Sequence, residues 1–262
     1  MKNIIGILRL TAIGLILSFL VAASPANSGN VSLNLPDVSS LSVFAEEATD
    51  ANANIILIVG GSGLRNGDGL SKNYLVKEKA TFYGANLNYY LLPNRNSSEK
   101  LGYPKRADAK RVSQILSLIK AIGERNPKPI WLVGFSRGSV DAGHFAKAHP
   151  EMIEGIVLIS GVYENESKKA RAYGMEKIIG TSISTKVLIT HHAEVTCMVT
   201  KPREAVKFFQ KLRAPVKEFL TYSGGEATGR DCGPLNHHGF EGMEGKVAKD
   251  IALWITMNSE GL

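Results

Sequence analysis

Six short segments of the chain are largely apolar, and this pattern constrains the fold more than any other feature. They are residues 55–59, 88–92, 130–133, 156–159, 186–190 and 216–222. A strand that alternates apolar and polar residues has one face in water, whereas a continuously apolar strand is covered on both faces. The pattern therefore favours a mostly parallel central sheet with helices on both sides.

Helical patterns lie between these segments. Apolar residues recur at helical spacing over residues 106–124, 138–148, 203–212 and 243–257. Because strands and helices alternate, the predicted class is α/β with right-handed crossovers. About 25 residues separate Ile159 from Lys186, which is too short for a large cap domain at that point of the chain.

The N-terminal residues have the order of a secretory signal peptide. Basic residues precede an apolar stretch over residues 11–23, and small residues follow at 24–26. The stretch is shorter than the ~20 residues that span a bilayer, although a retained anchor is the alternative. We predict that residues 1–26 are cleaved and that the protein is exported, periplasmic or secreted, without a stable membrane span.

Two further segments follow the predicted signal peptide. Residues 27–53 are predicted to be a linker or edge segment, with a possible short strand through Val31, Leu33 and Leu35. Residues 54–262 are predicted to form one domain.

The net charge is +7, but the basic residues are scattered and lack interleaved aromatics, so nucleic acid is not an expected partner.

The third apolar strand runs into the sequence Gly-Phe-Ser-Arg-Gly at 134–138. In a parallel sheet, ligands meet the carboxyl ends of the strands, and Ser136 lies at such an end. The glycines allow a sharp turn, and the N-terminus of the following helix favours a developing negative charge. Ser136 is therefore predicted to be a nucleophile, and the alternative is a serine that only caps the helix.

A nucleophilic serine needs a base, and the base needs an orienting group. Two histidines, His237 and His238, lie between the last strand and the last helix, and His238 is the preferred base. The acid is expected in the loop after residue 190, where Glu194 is the only carboxylate before Cys197. Glu164 is the alternative, because it follows the preceding strand. From the sequence, replacing Glu194 with glutamine is expected to lower kcat at least about tenfold.

The oxyanion of such a reaction needs two N–H donors. One is predicted to be the backbone N–H of Arg137, the residue after the nucleophile. The other is predicted in the glycine-rich loop 59–69, at Gly61 or Ser62. This loop lacks the lysine of a phosphate-binding P-loop and the spacing of a dinucleotide fingerprint, so no nucleotide cofactor is expected.

The chain has two cysteines, Cys197 and Cys232. An even number in an exported chain predicts one disulfide, with two free thiols as the alternative. The bridge would join the loop that contains Glu194 to the loop that contains His238.

Together these motifs resemble those of the α/β-hydrolase superfamily, and of small exported bacterial hydrolases within it. The similar loops are Gly-Gly-Ser-Gly at 60–63, Gly-x-Ser-x-Gly at 134–138, His-His-x-x-Asp-x-Cys at 191–197 and the His-His-Gly-Phe segment that ends at 240. The resemblance implies a triad of Ser136, an acid and His238, without a metal or organic cofactor. This chain has Val195 where that pattern has its aspartate.

The expected function is hydrolysis of a small acyl substrate, with an ester preferred over a peptide or thioester. The mechanism would pass through an acyl-enzyme intermediate. Hydrolase folds also serve as binding proteins without catalysis, so a non-catalytic role is a second hypothesis.

Overall fold

The computed structural model describes residues 27–35, 38–48, 50–65 and 71–259. The signal peptide predicted for residues 1–26 lies outside the described residues. Eight strands form one sheet in this part of the chain, in the spatial order β1-β2-β4-β3-β5-β6-β7-β8. The strands are β1 (Asn27–Leu35), β2 (Val38–Glu47), β3 (Ala53–Ile58), β4 (Leu87–Leu91), β5 (Ile130–Phe135), β6 (Gly155–Ile159), β7 (Lys186–His192) and β8 (Lys217–Tyr222).

The helices lie between these strands and on both sides of the sheet. They are α1 (Tyr74–Lys77), α2 (Lys79–Gly84), α3 (Tyr103–Arg106), α4 (Ala109–Arg125), α5 (Gly138–Ala148), α6 (Met175–Ile179), α7 (Pro202–Lys211) and α8 (Glu244–Ser259). Short 3-10 turns occur at Pro150–Met152, Arg171–Tyr173 and His237–Gly239. Between β6 and β7 there is only one such turn and the short helix α6, so the predicted absence of a large cap holds in the described region.

Alternate residues of the central strands enter two separate cores, which explains their continuous apolarity. In β3, Ile56 and Ile58 pack in a core that also contains residues of α4 and α5. Their neighbours Ile55 and Leu57 pack in a second core, which contains Ile251 and other residues of α8. All strand pairs from β4 to β8 are parallel, as predicted.

The segment predicted as a linker or edge contains two strands rather than one. β1 pairs with β2 in antiparallel fashion, and β2 pairs antiparallel with β4 through Phe44 and Leu91. β1 ends at Leu35, the residue before Pro36, as its sequence predicted. The two antiparallel strands thus extend the edge of the parallel sheet.

None of the described helices combines the length and the apolar composition that crossing a membrane requires.

Candidate active site

Ser136 occupies the tight turn between β5 and α5. Its φ angle is +53°, a left-handed conformation that a serine rarely adopts. The backbone N–H of Ser136 donates a hydrogen bond of 2.8 Å to the carbonyl oxygen of Ile159 in the next strand. The surrounding sheet therefore holds the strained residue, as expected for a nucleophile presented at a strand-to-helix turn.

The flanking glycines are required by close approach of the backbone. A Cβ atom on Gly134 would lie 2.5 Å from the carbonyl oxygen of Gly138. A Cβ atom on Gly138 would lie 2.1 Å from the carbonyl oxygen of Ile58 in β3. Strand and helix approach each other at this turn in a way that only glycine permits.

The glycine-rich loop after β3 lies directly beside Ser136. A Cβ atom on Gly60 would be only 2.8 Å from the Cβ atom of Ser136, and Gly61 has a φ angle of +59°. Within the described residues, no acceptor is paired with the backbone N–H groups of Gly61, Ser62 or Arg137. These three groups are the donors that the sequence predicted for an oxyanion hole, and they remain free to bind a ligand.

A buried ion cluster supports this loop from below the surface. Nη2 of Arg106 donates to the carbonyl oxygens of Val59, Gly60 and Gly61, at 3.1, 3.3 and 3.4 Å. The same guanidinium forms a salt bridge with Asp141 in α5, and neither side chain is exposed. Sequence reasoning missed this cluster. Asp141 is the only carboxylate in α5, and that signal could have indicated a buried partner.

A second arginine completes the cluster. Nε of Arg111 lies 2.6 Å from Oδ1 of Asp141. Nη1 of Arg111 donates to the carbonyl oxygen of Pro93 and to Oε1 of Gln114. Arg111 and Asp141 are both almost fully buried. Buried charges need such partners, because an unpaired charge in the protein interior is strongly unfavourable.

His238 lies in the 3-10 turn before α8 and is 1% exposed. Its ring packs against Phe135 at 5.1 Å between centroids, and its carbonyl oxygen accepts a hydrogen bond from Ser160. Nδ1 lies 3.1 Å from Oγ1 of Thr200. Nε2 is buried and has no hydrogen-bond partner among the described residues. Nε2 is therefore available for a ligand or for the serine.

Ser136 and His238 line the same pocket, whose volume is about 290 Å³. Gly61 and Ser62 line it as well, so the structure brings four of the predicted site residues together. Arg137 follows Ser136 directly, and its guanidinium lies over the ring of Tyr103.

The structure does not bring Glu194 to His238. The carboxylate of Glu194 accepts a hydrogen bond of 2.8 Å from the backbone N–H of Gly224 and lies 4.0 Å from Nε2 of His192. The side chain is 52% exposed, whereas the next residue, Val195, is buried. The loop thus turns an apolar side chain inward at this point, and the predicted contact between Glu194 and His238 is absent.

Glu164, the alternative acid, lines a different cavity together with Arg171, Glu176, Lys177 and Lys211. No carboxylate among the described residues is hydrogen-bonded to His238, and the hydroxyl of Thr200 is the group beside Nδ1. Nothing in the sequence distinguishes Thr200 from Thr196, the other threonine of its loop.

The predicted disulfide between Cys197 and Cys232 is confirmed. Thr200 follows Cys197 by three positions, and its backbone N–H donates to the carbonyl oxygen of Cys197. Cys232 precedes His238 in the second loop. The bridge therefore joins the loop that contains Thr200 to the loop that contains His238.

Burial decides the charge of the site's imidazoles. Burial lowers the pKa of His238 to about 3, and the proximity of His191 contributes to the lowering. Burial also lowers the pKa of His191, to about 4. Because Thr200 is neutral, no countercharge offsets this desolvation. Both rings are therefore neutral near pH 7.

His192, Glu194 and His237 form a cluster of the residue types that bind metals, with their ligand atoms within 4.8 Å of one another. Both nitrogens of His192 are already engaged. Nδ1 accepts the N–H of Glu194, which leaves the proton on Nε2, and Nε2 donates to the carbonyl oxygen of Gly224. A metal would have to replace that bond, so the donor set does not fit a preformed site.

The mostly parallel sheet with helices on both sides has the α/β-hydrolase fold, and solved structures show the same fold. No protein-family model and no curated protein sequence matches the chain. A dienelactone hydrolase from Anabaena variabilis superposes with a TM-score of 0.62 at 13% identity, over 88% of this chain and 98% of that protein.

Two further solved structures show the same likeness. The serine hydrolase XC6422 from Xanthomonas campestris, described as lacking a lid, has a TM-score of 0.62 at 12% identity, over 92% of this chain and 99% of that one. The Pyrococcus furiosus esterase Pf2001 has a TM-score of 0.62 at 11% identity, over 88% of this chain and 93% of that one. At these identities the likeness establishes the fold alone.

Proposed function

We propose that the protein is a serine hydrolase that cleaves ester-type bonds with Ser136 as nucleophile and His238 as general base. The observation that carries this proposal is the left-handed Ser136 at the end of β5, in one pocket with a buried histidine whose Nε2 has no described partner. The fold is also that of an esterase and a dienelactone hydrolase, which supports an ester-type substrate.

The proposed reaction begins with neutral His238. Its Nδ1–H donates to Thr200, and its Nε2 accepts the proton of Ser136 as Oγ attacks the carbonyl carbon. The N–H groups of Arg137 and of Gly61 or Ser62 stabilise the oxyanion. His238 gives the proton to the leaving alcohol, and a water activated by His238 then releases the acid from Ser136.

Thr200 replaces a carboxylate as the orienting group in this proposal. A hydroxyl holds the ring and fixes the tautomer, but it supplies no negative charge to stabilise the imidazolium that forms during the reaction. The base is therefore weaker than one paired with an aspartate. Because no carboxylate raises its pKa, the imidazole of His238 stays unprotonated at a lower pH than a histidine paired with an aspartate.

The proposal is tested with short-chain 4-nitrophenyl esters and matched 4-nitroanilides across a range of pH. We expect hydrolysis of the esters in preference to the anilides. The acid limb of the kcat/KM profile should lie below pH 6.5, because the lowered pKa of His238 keeps the base neutral there. An acid limb above pH 6.5 would contradict the assigned base, and the absence of any turnover would contradict the hydrolase.

Replacing Thr200 with valine is expected to lower kcat about tenfold to a hundredfold, because it leaves Nδ1–H of the buried ring without an acceptor. KM should change little, since the hydroxyl faces the histidine. Thr196→Val, on the exposed side of the same loop, is the matched control and should retain the rate.

The variant Glu194→Gln separates the two assignments of the orienting group. Glu194 touches Gly224 and His192 rather than His238, so we now expect its rate to stay within about threefold of the wild type. A tenfold loss in Glu194→Gln, together with full activity in Thr200→Val, would return the role to Glu194.

A non-catalytic binding protein is the second candidate, and the neutral partner of His238 favours it. An active site that has lost its acid retains its pocket and its serine.

We also propose that the protein is exported, because a disulfide persists in an oxidising compartment and the N-terminal sequence has the order of a signal peptide.

A further inference from the structure

Two positively charged residues line the pocket that contains Ser136 and His238. Lys72 belongs to the loop before α1, and Arg230 belongs to the loop that contains Cys232. Both residues are exposed. No aspartate or glutamate is present among the described residues that line this pocket. Its charged lining is therefore of one sign.

Neither cation is neutralised within the described part of the chain. None of the ion pairs there includes Lys72 or Arg230. By contrast, the cavity beside Glu164 contains carboxylates as well as cations, and Lys211 is paired there with Glu176. The positive charge at Ser136 is thus a property of this pocket and not of every cavity on a basic protein.

The backbone holds both cations at the pocket. The carbonyl oxygen of Arg230 accepts the N–H of Gly233 at 2.7 Å, and the disulfide at Cys232 anchors the same turn. Lys72 directly precedes Asn73, whose side chain caps α1 by accepting the N–H of Leu75. Both charges therefore start from backbone positions that hydrogen bonds hold beside the pocket.

We propose that this pocket selects esters that carry an anionic group, such as a carboxylate, close to the scissile bond. The inference rests on the proposed hydrolase function and names its substrate class. Arg230 can bind a carboxylate with two parallel hydrogen bonds, and Lys72 adds a second charge. A pocket lined by one sign of charge also raises the local concentration of an oppositely charged substrate.

The test uses two esters that differ by one charge, 4-acetoxybenzoate and its methyl ester. The measured quantity is the ratio of kcat/KM for the anionic ester to that for the neutral ester. This ratio is compared between the wild type and each variant. The comparison removes the difference in intrinsic reactivity of the two esters, because that difference is the same for every variant. We expect the ratio to fall at least about tenfold in the double variant Lys72→Gln/Arg230→Gln, and to fall in the wild type as salt is raised.

Lys110→Gln/Lys120→Gln is the matched control. It removes the same two charges from the exposed face of α4, away from the pocket, and should leave the ratio unchanged. A ratio that is equal in the wild type and the pocket variant overturns the proposed selectivity while leaving the hydrolase intact. An equal fall in the control assigns the effect to net charge and overturns it as well.

Failure of the hydrolase itself would be recognised by a different result, namely no turnover of either ester. In that case calorimetric binding of the two esters to Ser136→Ala decides the question. Tighter binding of the anionic ester that is lost in Lys72→Gln/Arg230→Gln supports the anionic site. Equal binding of the two esters overturns it.

Discussion

Replacing Ser136 with alanine is expected to lower ester hydrolysis at least about a thousandfold, because the nucleophile and its covalent intermediate are both lost. In the proposed mechanism, the remaining oxyanion donors and His238 would provide only residual catalysis. The strained backbone is held by the Ile159 carbonyl and by the flanking glycines rather than by the hydroxyl. The variant should therefore fold and keep the pocket.

Labelling by a fluorophosphonate measures the reactivity of the serine independently of any substrate. The wild type should be labelled at Ser136, and the label should be absent from Ser136→Ala. Ser113→Ala changes a serine on the exposed face of α4 and should be labelled like the wild type. A wild-type protein that resists the reagent would favour the binding protein over the enzyme.

Replacing Arg106 with methionine is expected to have the largest effect on stability. The side chain is fully buried, pairs with Asp141 and donates to three carbonyl groups of the loop beside Ser136. Removing one partner of a buried ion pair typically costs about 3–5 kcal/mol of the free energy of unfolding. Arg111 still contacts Asp141, which places the expected loss at about 3 kcal/mol.

Urea denaturation measures this loss, with Arg125→Met as the matched control. Arg125 also pairs with a glutamate, Glu47, but its side chain is 46% exposed, so its loss should cost less than about 1 kcal/mol. If Arg106→Met does not fold, Arg106→Lys is used in its place. Lysine keeps the positive charge but lacks the planar guanidinium, so a smaller loss of the free energy of unfolding is expected. Equal losses for Arg106→Met and Arg125→Met would contradict the larger stabilisation assigned to the buried cluster.

The central sheet could be predicted from the sequence because its strands are buried on both faces. The segment 156–159 matches β6 within one residue, and helix α5 has the predicted bounds Gly138–Ala148. The antiparallel extension of the sheet was harder to predict, because its strands are not continuously apolar. β2 contains Ser39, Ser40 and Glu46, and its pairing with β1 and β4 was not visible in its composition.

Some residues of the candidate site could be predicted from the sequence, and others could not. Ser136 and His238 could be placed because the sheet fixes where a residue after a strand must lie. The group beside Nδ1 of His238 could not be placed from the sequence, because the direction of a loop side chain depends on the path of the whole loop. Glu194 and Val195 are adjacent, yet one is exposed and the other is buried, and Thr200 reaches His238 instead.

The disulfide has a consequence for when the protein can work. Cys197 anchors the segment that leads to Thr200, and Cys232 anchors the segment that leads to His238, so one covalent link sets the spacing of hydroxyl and imidazole. A thiol reductant would loosen that spacing while leaving the sheet and Ser136 in place. Under the proposed function, a chain with reduced cysteines would carry a serine without a correctly held base, and oxidation of the two thiols would complete the site.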